Sequence, residues 1–453
     1  MRQRFAPHLT LGCTPIEEVK IPAKTRSHMA ALIAALQYIY VTPSWNEKVF
    51  RLLDEKILAG KRKTGRTGMS LWEIFVLGQV GLCMNICYDE LHHMANYDGL
   101  LRGVMGVLPT DFSQGKEYTY QNIYDNVNLL DDELLKQIND VIVSAGHEVF
   151  KKKESAALRL KTDSFVVETN THFPTDYNLL WDCCRKCIDL SVKLEAPGWR
   201  KSKDWYRVIK GFMRKVGKIS ACGGANQAER LNEAVTDYLT KAGALERKIS
   251  EILNGYPAIE PWQMAVLFEL DYYHQMLIKH IDLVDSRLLK GETIPHQEKV
   301  FSVFQPYTEF IKKGKLRPNV EIGKKLVVTT DQYDLLVDWQ LAENQTDNQL
   351  SIPLADRLLN KYSIASMSFD KGFSDKEDKA ILELYINEVI MPKKGKRSQQ
   401  EKAVEQAPAF RKLKNKHSAV ESNINELEHR GMDRCPNRNW KTFTPYVGLA
   451  ATA

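Results

Sequence analysis

Strand-forming text in this chain comes in short runs, and between the first and the second lies a long stretch of helical periodicity. Residues 158–169 are rich in β-branched and aromatic side chains, and similar runs follow at 323–330, 335–341 and 362–370. Residues 176–318 instead repeat apolar side chains three and four apart, over 202–216, 226–253 and 262–289. Any sheet built from these runs has to accept a helical insertion after its first strand. An antiparallel helical bundle is the natural packing for that insertion.

Upstream, residues 1–24 hold three prolines and little periodicity, which predicts an extended arm. Core helices are expected over 28–40 and over 70–87, the latter capped by Ser70. Two more follow at 118–130 and 131–143, where Asp131, Asp132 and Glu133 suit the positive end of a helix dipole. Residues 1–152 are thus expected to form a helical N-terminal domain. The turn at Gly115-Lys116 before Tyr118-Thr-Tyr-Gln-Asn122 is one candidate for a DNA-reading helix, with Gln121 and Asn122 able to face adenine edges. A helix start within a bundle is the plainer account.

A length of 453 residues exceeds the usual size of one core, so two or three domains are expected, and 43% hydrophobic residues suffice to fill them. No early segment has the layout of a signal peptide, and no stretch approaches ~18 uninterrupted apolar residues. The expectation is a cytoplasmic, nucleoid-associated protein with no membrane partner. The eight cysteines lack the paired C-x-x-C spacing of a zinc ribbon. Cys83 with Cys87, and Cys183 with Cys187, would each share a helix face and could bind metal with His92 or His93. Packing of reduced thiols inside helices is the commoner use of such pairs. No glycine-rich nucleotide loop is present, so no ATP-driven step is implied.

Three acids stand in settings suited to presenting a carboxylate. Asp163 lies in the first strand, where alternation puts Lys161, Asp163 and Phe165 on one face and Thr162, Ser164 and Val166 on the other. Asp370 ends the apolar run Tyr362–Phe369, just before Lys371-Gly372-Phe373. Glu421 sits on a helix expected from about 407 to 430, at the edge of an apolar stripe of Phe410, Leu413, Val420, Ile424 and Leu427. His417 and Asn425 lie one turn away on its face, and Glu426 and Glu428 are rival acids. Two-metal phosphodiester chemistry needs hard oxygen donors around ions ~3.5–4 Å apart. Two strand-end aspartates and a helical glutamate can supply them.

Basic residues cluster although the net charge is only +6. The runs are Lys61–Arg66, Lys151–Lys153, Lys312–Arg317, Lys393-Lys394-Gly-Lys396-Arg397 and Arg411-Lys-Leu-Lys414-Asn-Lys416. Such runs are often only solvated loops. The last two bracket the approach to Glu421, which suits a polyanionic duplex. In the insertion, Trp181, Trp199, Trp205, Arg200 and Arg207 could stack on or clamp unpaired bases, though core packing is the commoner use of tryptophan.

Four stretches carry a family likeness: Lys161–Thr169, Gly323–Thr330 running on to Asn344–Asp347, Ser368–Phe373 and His417–Ile424. In these the chain resembles bacterial insertion-sequence transposases of the DDE type, ISNCY-like, with an RNase H-like catalytic domain. The resemblance implies an α/β core, a mixed sheet flanked by helices, made from 153–175 and 319–435, with 176–318 inserted and 436–453 left as a C-terminal tail. It implies Asp163, Asp370 and Glu421 as catalytic and metal-binding triad; Asp347 and Glu168 are candidate auxiliary acids beside it. It further implies two magnesium ions, replaceable by manganese, and cleavage at transposon ends followed by strand transfer. The partners implied are double-stranded DNA and a second copy of the chain in a homodimer on DNA. Lys393, Lys394, Lys396, Arg397, Arg411, Lys414, Lys416 and His417 would hold phosphates. One position departs from the family pattern, since His417 stands where arginine often precedes the glutamate by four residues. An RNase H-like nuclease without strand transfer, and a non-catalytic helical DNA-binding or scaffold protein, remain open alternatives.

Overall fold

The computed structural model describes residues 2–5, 12–22, 24–60, 68–108, 115–196, 199, 202–312 and 319–453. These form two compact units, Met1–Asn170 with Glu309–Ala453, and Thr171–Thr308. The first unit begins with helices α1 (His28–Val41), α2 (Pro43–Leu53), α3 (Leu71–Cys83), α4 (Tyr88–Tyr97), α5 (Gly99–Met105), α6 (Tyr120–Val127) and α7 (Asp132–Val149). The cap expected at Ser70 forms, and Asp131, expected only as a first-turn acid, caps α7. Ser70 Oγ accepts from the Glu73 amide at 3.3 Å, and the Asp131 carboxylate accepts from the Leu134 amide at 3.0 Å, each satisfying an orphan first-turn N–H. α3 is buried almost all round, and its apolar residues from Leu71 to Val80 account for that. Cys83 ends α3 and Cys87 precedes α4, because the chain turns at Asn85 with φ +49°; the two do not share a helix face.

Strand β1 (Leu158–Thr169) follows, over the range read from its sequence. The second unit is then built from α8 (Asp176–Lys193), α9 (Ser202–Ala221), α10 (Gln227–Gly255) and α11 (Pro261–Val284). Its interior holds Leu180, Cys184, Cys187, Val235, Tyr238, Leu245, Leu270 and Leu277. The tryptophans are core residues: Trp181 is buried edge-on against Tyr206, with ring centroids 4.7 Å apart, and buried Trp199 lies near Trp205. Base stacking by Trp181 and Trp199 therefore gives way to packing. Arg207 is exposed and lies 3.6 Å from Asp204, whereas Arg200 falls outside the described residues.

On returning to the first unit the chain forms β2 (Glu309–Lys312), β3 (Val320–Thr330), β4 (Leu336–Leu341), α12 (Asp347–Leu359), β5 (Ile364–Phe369), α13 (Lys376–Leu382) and β6 (Glu388–Ile390). It ends with α14 (Gln399–Gln406), α15 (Pro408–His417), α16 (Ala419–Leu427), β7 (Arg434–Cys435) and α17 (Trp440–Thr452). The seven strands make one mixed sheet in the order β2-β3-β1-β5-β6, with β4 beside β3 and β7 beside β1. β1 runs antiparallel to β3 and parallel to β5. Leu158, Leu160, Val327, Met367 and Phe369 of the sheet share a core with Leu350, Leu354 and Leu358 of α12.

Three expectations are corrected. Residues 309–312, assigned to the insertion, pair with β3 as an edge strand. Residues 436–453, assigned to a tail, form α17, whose Phe443, Val447, Leu449 and Ala450 are buried, and Gln79 donates to Thr452 Oγ1 at 3.0 Å. The helix expected from 407 to 430 is broken at Ser418, where its apolar stripe has its gap. α15 packs over β5 and β6 through buried Phe410, while α16 packs over β1 and β3 through Val420. Among the described residues no helix is long and apolar enough to cross a membrane.

Candidate functional site

The parallel register of β1 with β5 pairs Lys161 with Ser368 and Thr162 with Phe369. The next residues along the two strands are Asp163 and Asp370, so two carboxylates emerge side by side where the pairing ends. β1 then pairs on that edge only with β7, at Glu168 and Thr169. The opening between lies beyond the carboxyl end of β5, the place where α/β sheets expose ligand-binding crevices. On its other edge Asp163 is paired with Val328, which fixes its position along the sheet.

Asp347 approaches from the start of α12. Its Oδ1 accepts from Ser164 Oγ at 3.0 Å and faces Lys325 Nζ at 2.9 Å. Its Oδ2 lies so close to Gly372 that a β-carbon there would come within 2.6 Å. The Gly372 amide in turn points at Asp370 Oδ2 at 3.4 Å. A side chain at position 372 would therefore push the Asp347 carboxylate out of its place beside Ser164. Glu421 is exposed in the first turn of α16.

The electrostatics of Asp163 tie these groups together. Burial is the main reason its carboxyl is pushed up to about 7, and the negative charges of Asp370, Asp347 and Glu421 push further in that direction. The hydrogen bond from the Ser164 amide, 2.7 Å, works against them. Glu421 contributes least of the three acids. Among the described residues no group of three acid, imidazole or thiol side chains could as it stands hold a metal ion. The acids are therefore gathered to electrostatic reach without closing into one ligand shell. Their chemistry still fits a hard divalent cation: all four are oxygen donors, and Lys161 is engaged elsewhere by Asp334 at 2.6 Å, although Lys325 holds one oxygen of Asp347 and would compete with a cation for it.

His417 faces the sheet on the Asp370 side. The Ser368 hydroxyl lies 3.2 Å from the Leu160 carbonyl and 3.0 Å from His417 Nδ1. If it donates to that carbonyl, its oxygen accepts from Nδ1–H, and Nε2 is left with its lone pair, buried and unpartnered. Burial is the main influence lowering the imidazole's pKa; Asp370 opposes it and Lys161 adds to it. His417 is thus part of the carboxylate site rather than an exposed phosphate contact. The role of Ser368 was missed from sequence, although it stands two residues before Asp370 on the same strand face.

The basic candidates divide into two kinds. Lys393 pairs with Glu401 at 2.7 Å and Arg397 with Glu405 at 3.0 Å, so their charges are largely spent within the chain. Lys394 and Lys396 are exposed. Arg411, Lys414 and Lys416 project from α15, exposed and without an acidic partner among the described residues. Residues 61–66 and 313–317 lie outside the described residues. Glu168 is exposed near the far end of β1, and Glu426 acts on Cys83 instead. No protein-family model, curated protein or solved structure matches the chain.

Proposed function

We propose that the chain is a DDE-type DNA transposase with an RNase H-like core, which cuts DNA at transposon ends and joins the freed ends to target DNA. The observation that carries the reading is the β1–β5 register that sets Asp163 beside Asp370 at a sheet opening, with Asp347 and Glu421 within electrostatic reach. Asp163, Asp370 and Glu421 would hold magnesium, with Asp347 in support. Magnesium bound there would supply Lewis-acid polarisation of the phosphate and of the attacking oxygen.

The chain's own side chains bind and orient. Arg411, Lys414 and Lys416 hold backbone phosphates and so set position rather than sequence choice. His417, held by Ser368, fixes the end of α15 against β5, just before the break that leads into the helix carrying Glu421. In the first step a water oxygen attacks phosphorus and the 3′ oxygen leaves. In the second that 3′-hydroxyl attacks a target phosphodiester and expels another 3′ oxygen. Joining requires two ends at once, which favours a homodimer on DNA.

The test is magnesium-dependent cleavage and joining of labelled DNA carrying the element's own ends, with Asp370→Asn as control. The expected result is loss of both reactions in the variant while DNA binding persists. Cleavage without joining would convert the reading to a nuclease. Binding without chemistry in either protein would refute catalysis and leave a DNA-binding scaffold.

A further inference from the structure

Next to the carboxylates, a cleft of about 390 Å³ opens under the junction of α15 and α16. Cavities of ~300–1,000 Å³ accept small organic ligands, so this one has room for a single small polar molecule. Its lining includes Arg159 and Lys161 from β1 and Lys416 from the end of α15, against one acid, Asp334. Lys161 is engaged by Asp334, which leaves Arg159 and Lys416, both exposed, to meet an anion. Further round the wall, Asn415 presents an amide and serines such as Ser422 present hydroxyls. No aromatic side chain is among the described residues that line it, and Leu160, Ile390, Leu413 and Ala419 supply its apolar part.

This combination differs from a surface that tracks a DNA backbone, where cations lie along a groove and aromatics stack on bases. A concave site with two cations, amides and hydroxyls instead matches one phosphate, one sugar and one base edge. We propose that the cleft is a pocket for a single unpaired nucleotide of a DNA strand. Its phosphate lies on Arg159 and Lys416 and its base edge faces Asn415. Aliphatic side chains such as Ile390 and Leu413 offer the base a face to pack on without telling one base from another, and hydrogen bonds from Asn415 to the base edge supply the preference among the four. Extruding a nucleotide costs a few kcal/mol in a paired duplex and least at a frayed end, so the occupant comes from an opened end. That the occupant belongs to DNA rests on the transposase reading; that the cleft takes a nucleotide does not.

Saturation-transfer NMR on the full chain in EDTA, with each of the four 2′-deoxynucleoside 5′-monophosphates, tests the pocket. The proposal expects saturable binding with a base preference, roughly tenfold weaker in Arg159→Gln, from loss of one charge-assisted contact. It expects no binding in Ser422→Trp, where an indole on an exposed helix position fills the cleft while the circular dichroism of the fold is kept. Binding that is absent in native protein, or unchanged in Ser422→Trp, overturns it. A single-stranded oligonucleotide should displace the monophosphate, and failure to do so overturns the strand as the source. Native protein that binds the monophosphate but never cuts DNA would sink the transposase reading and leave the pocket standing.

Discussion

Replacing Asp163 by Asn should stabilise the metal-free protein at alkaline pH and leave it little changed in acid. The Asp163 carboxyl is raised from an ordinary 3.8 to about 7, chiefly by burial and then by neighbouring acids. A folded-state value above the unfolded one means that the folded chain holds its proton more tightly. Ionising the group therefore costs nothing below about pH 4, costs progressively more between about 4 and 7, and is a constant penalty above that. At ~1.4 kcal/mol per decade the full penalty is about 4 kcal/mol. The side chain is not fully buried, and screening by water brings the expected gain to about 2–3 kcal/mol at pH 8. Asn keeps a carbonyl oxygen to accept from the Ser164 amide. Urea unfolding in EDTA at pH 5 and pH 8, read by hydrogen exchange of β1 peptides, isolates this unit from the other. A gap that is absent, equal at both pH values or reversed in sign would refute the account of Asp163.

Gly372→Ala should displace Asp347 from between Ser164 and the loop after β5, because the new methyl would stand 2.6 Å from Asp347 Oδ2; cleavage should fall at least tenfold while DNA affinity stays within twofold. His147→Ala should destabilise the first unit by about 2–4 kcal/mol in urea. It removes the donor 2.6 Å from Asp331, a fully buried carboxylate otherwise held by the amides of Tyr333 and Leu335. Lys414→Ala should weaken binding to all DNA sequences alike and lower the slope of log affinity against log salt by about 1, whereas Lys393→Ala, already neutralised by Glu401, should change the slope far less. Equal slopes for the two variants in a salt titration would contradict that division.

Much of the sheet was legible because its strands carry their own periodicity. β1 spans the residues read from β-branched alternation, and β3, β4 and β5 fall on the other runs. The edge strand β2 was not, since Glu309–Lys312 is too short to show a period and forms only against β3. α17 escaped notice because its apolar residues gain meaning only where α3 and α7 await them. The break at Ser418 was foreshadowed by the gap in the apolar stripe, yet a sequence stripe does not say that its halves cover different strands.

For the site, the chain's text determined the candidate acids and their local backbones: an aspartate inside a strand, another at a strand end, a glutamate beside an apolar stripe. Side-chain alternation is a local property, so it could be read without the fold. Tertiary structure decided which acids meet. The β1–β5 register makes Asp163 and Asp370 neighbours, and Gly372 leaves room for Asp347, which reaches in from α12 to Ser164 and Lys325. It also separated the cations, since whether a lysine is available to an anion depends on acids elsewhere: Lys393 and Arg397 are spent on α14, while Lys414 and Lys416 are exposed. Charge is written residue by residue, but electrostatic free energy depends on distance and burial, and only the folded chain sets those.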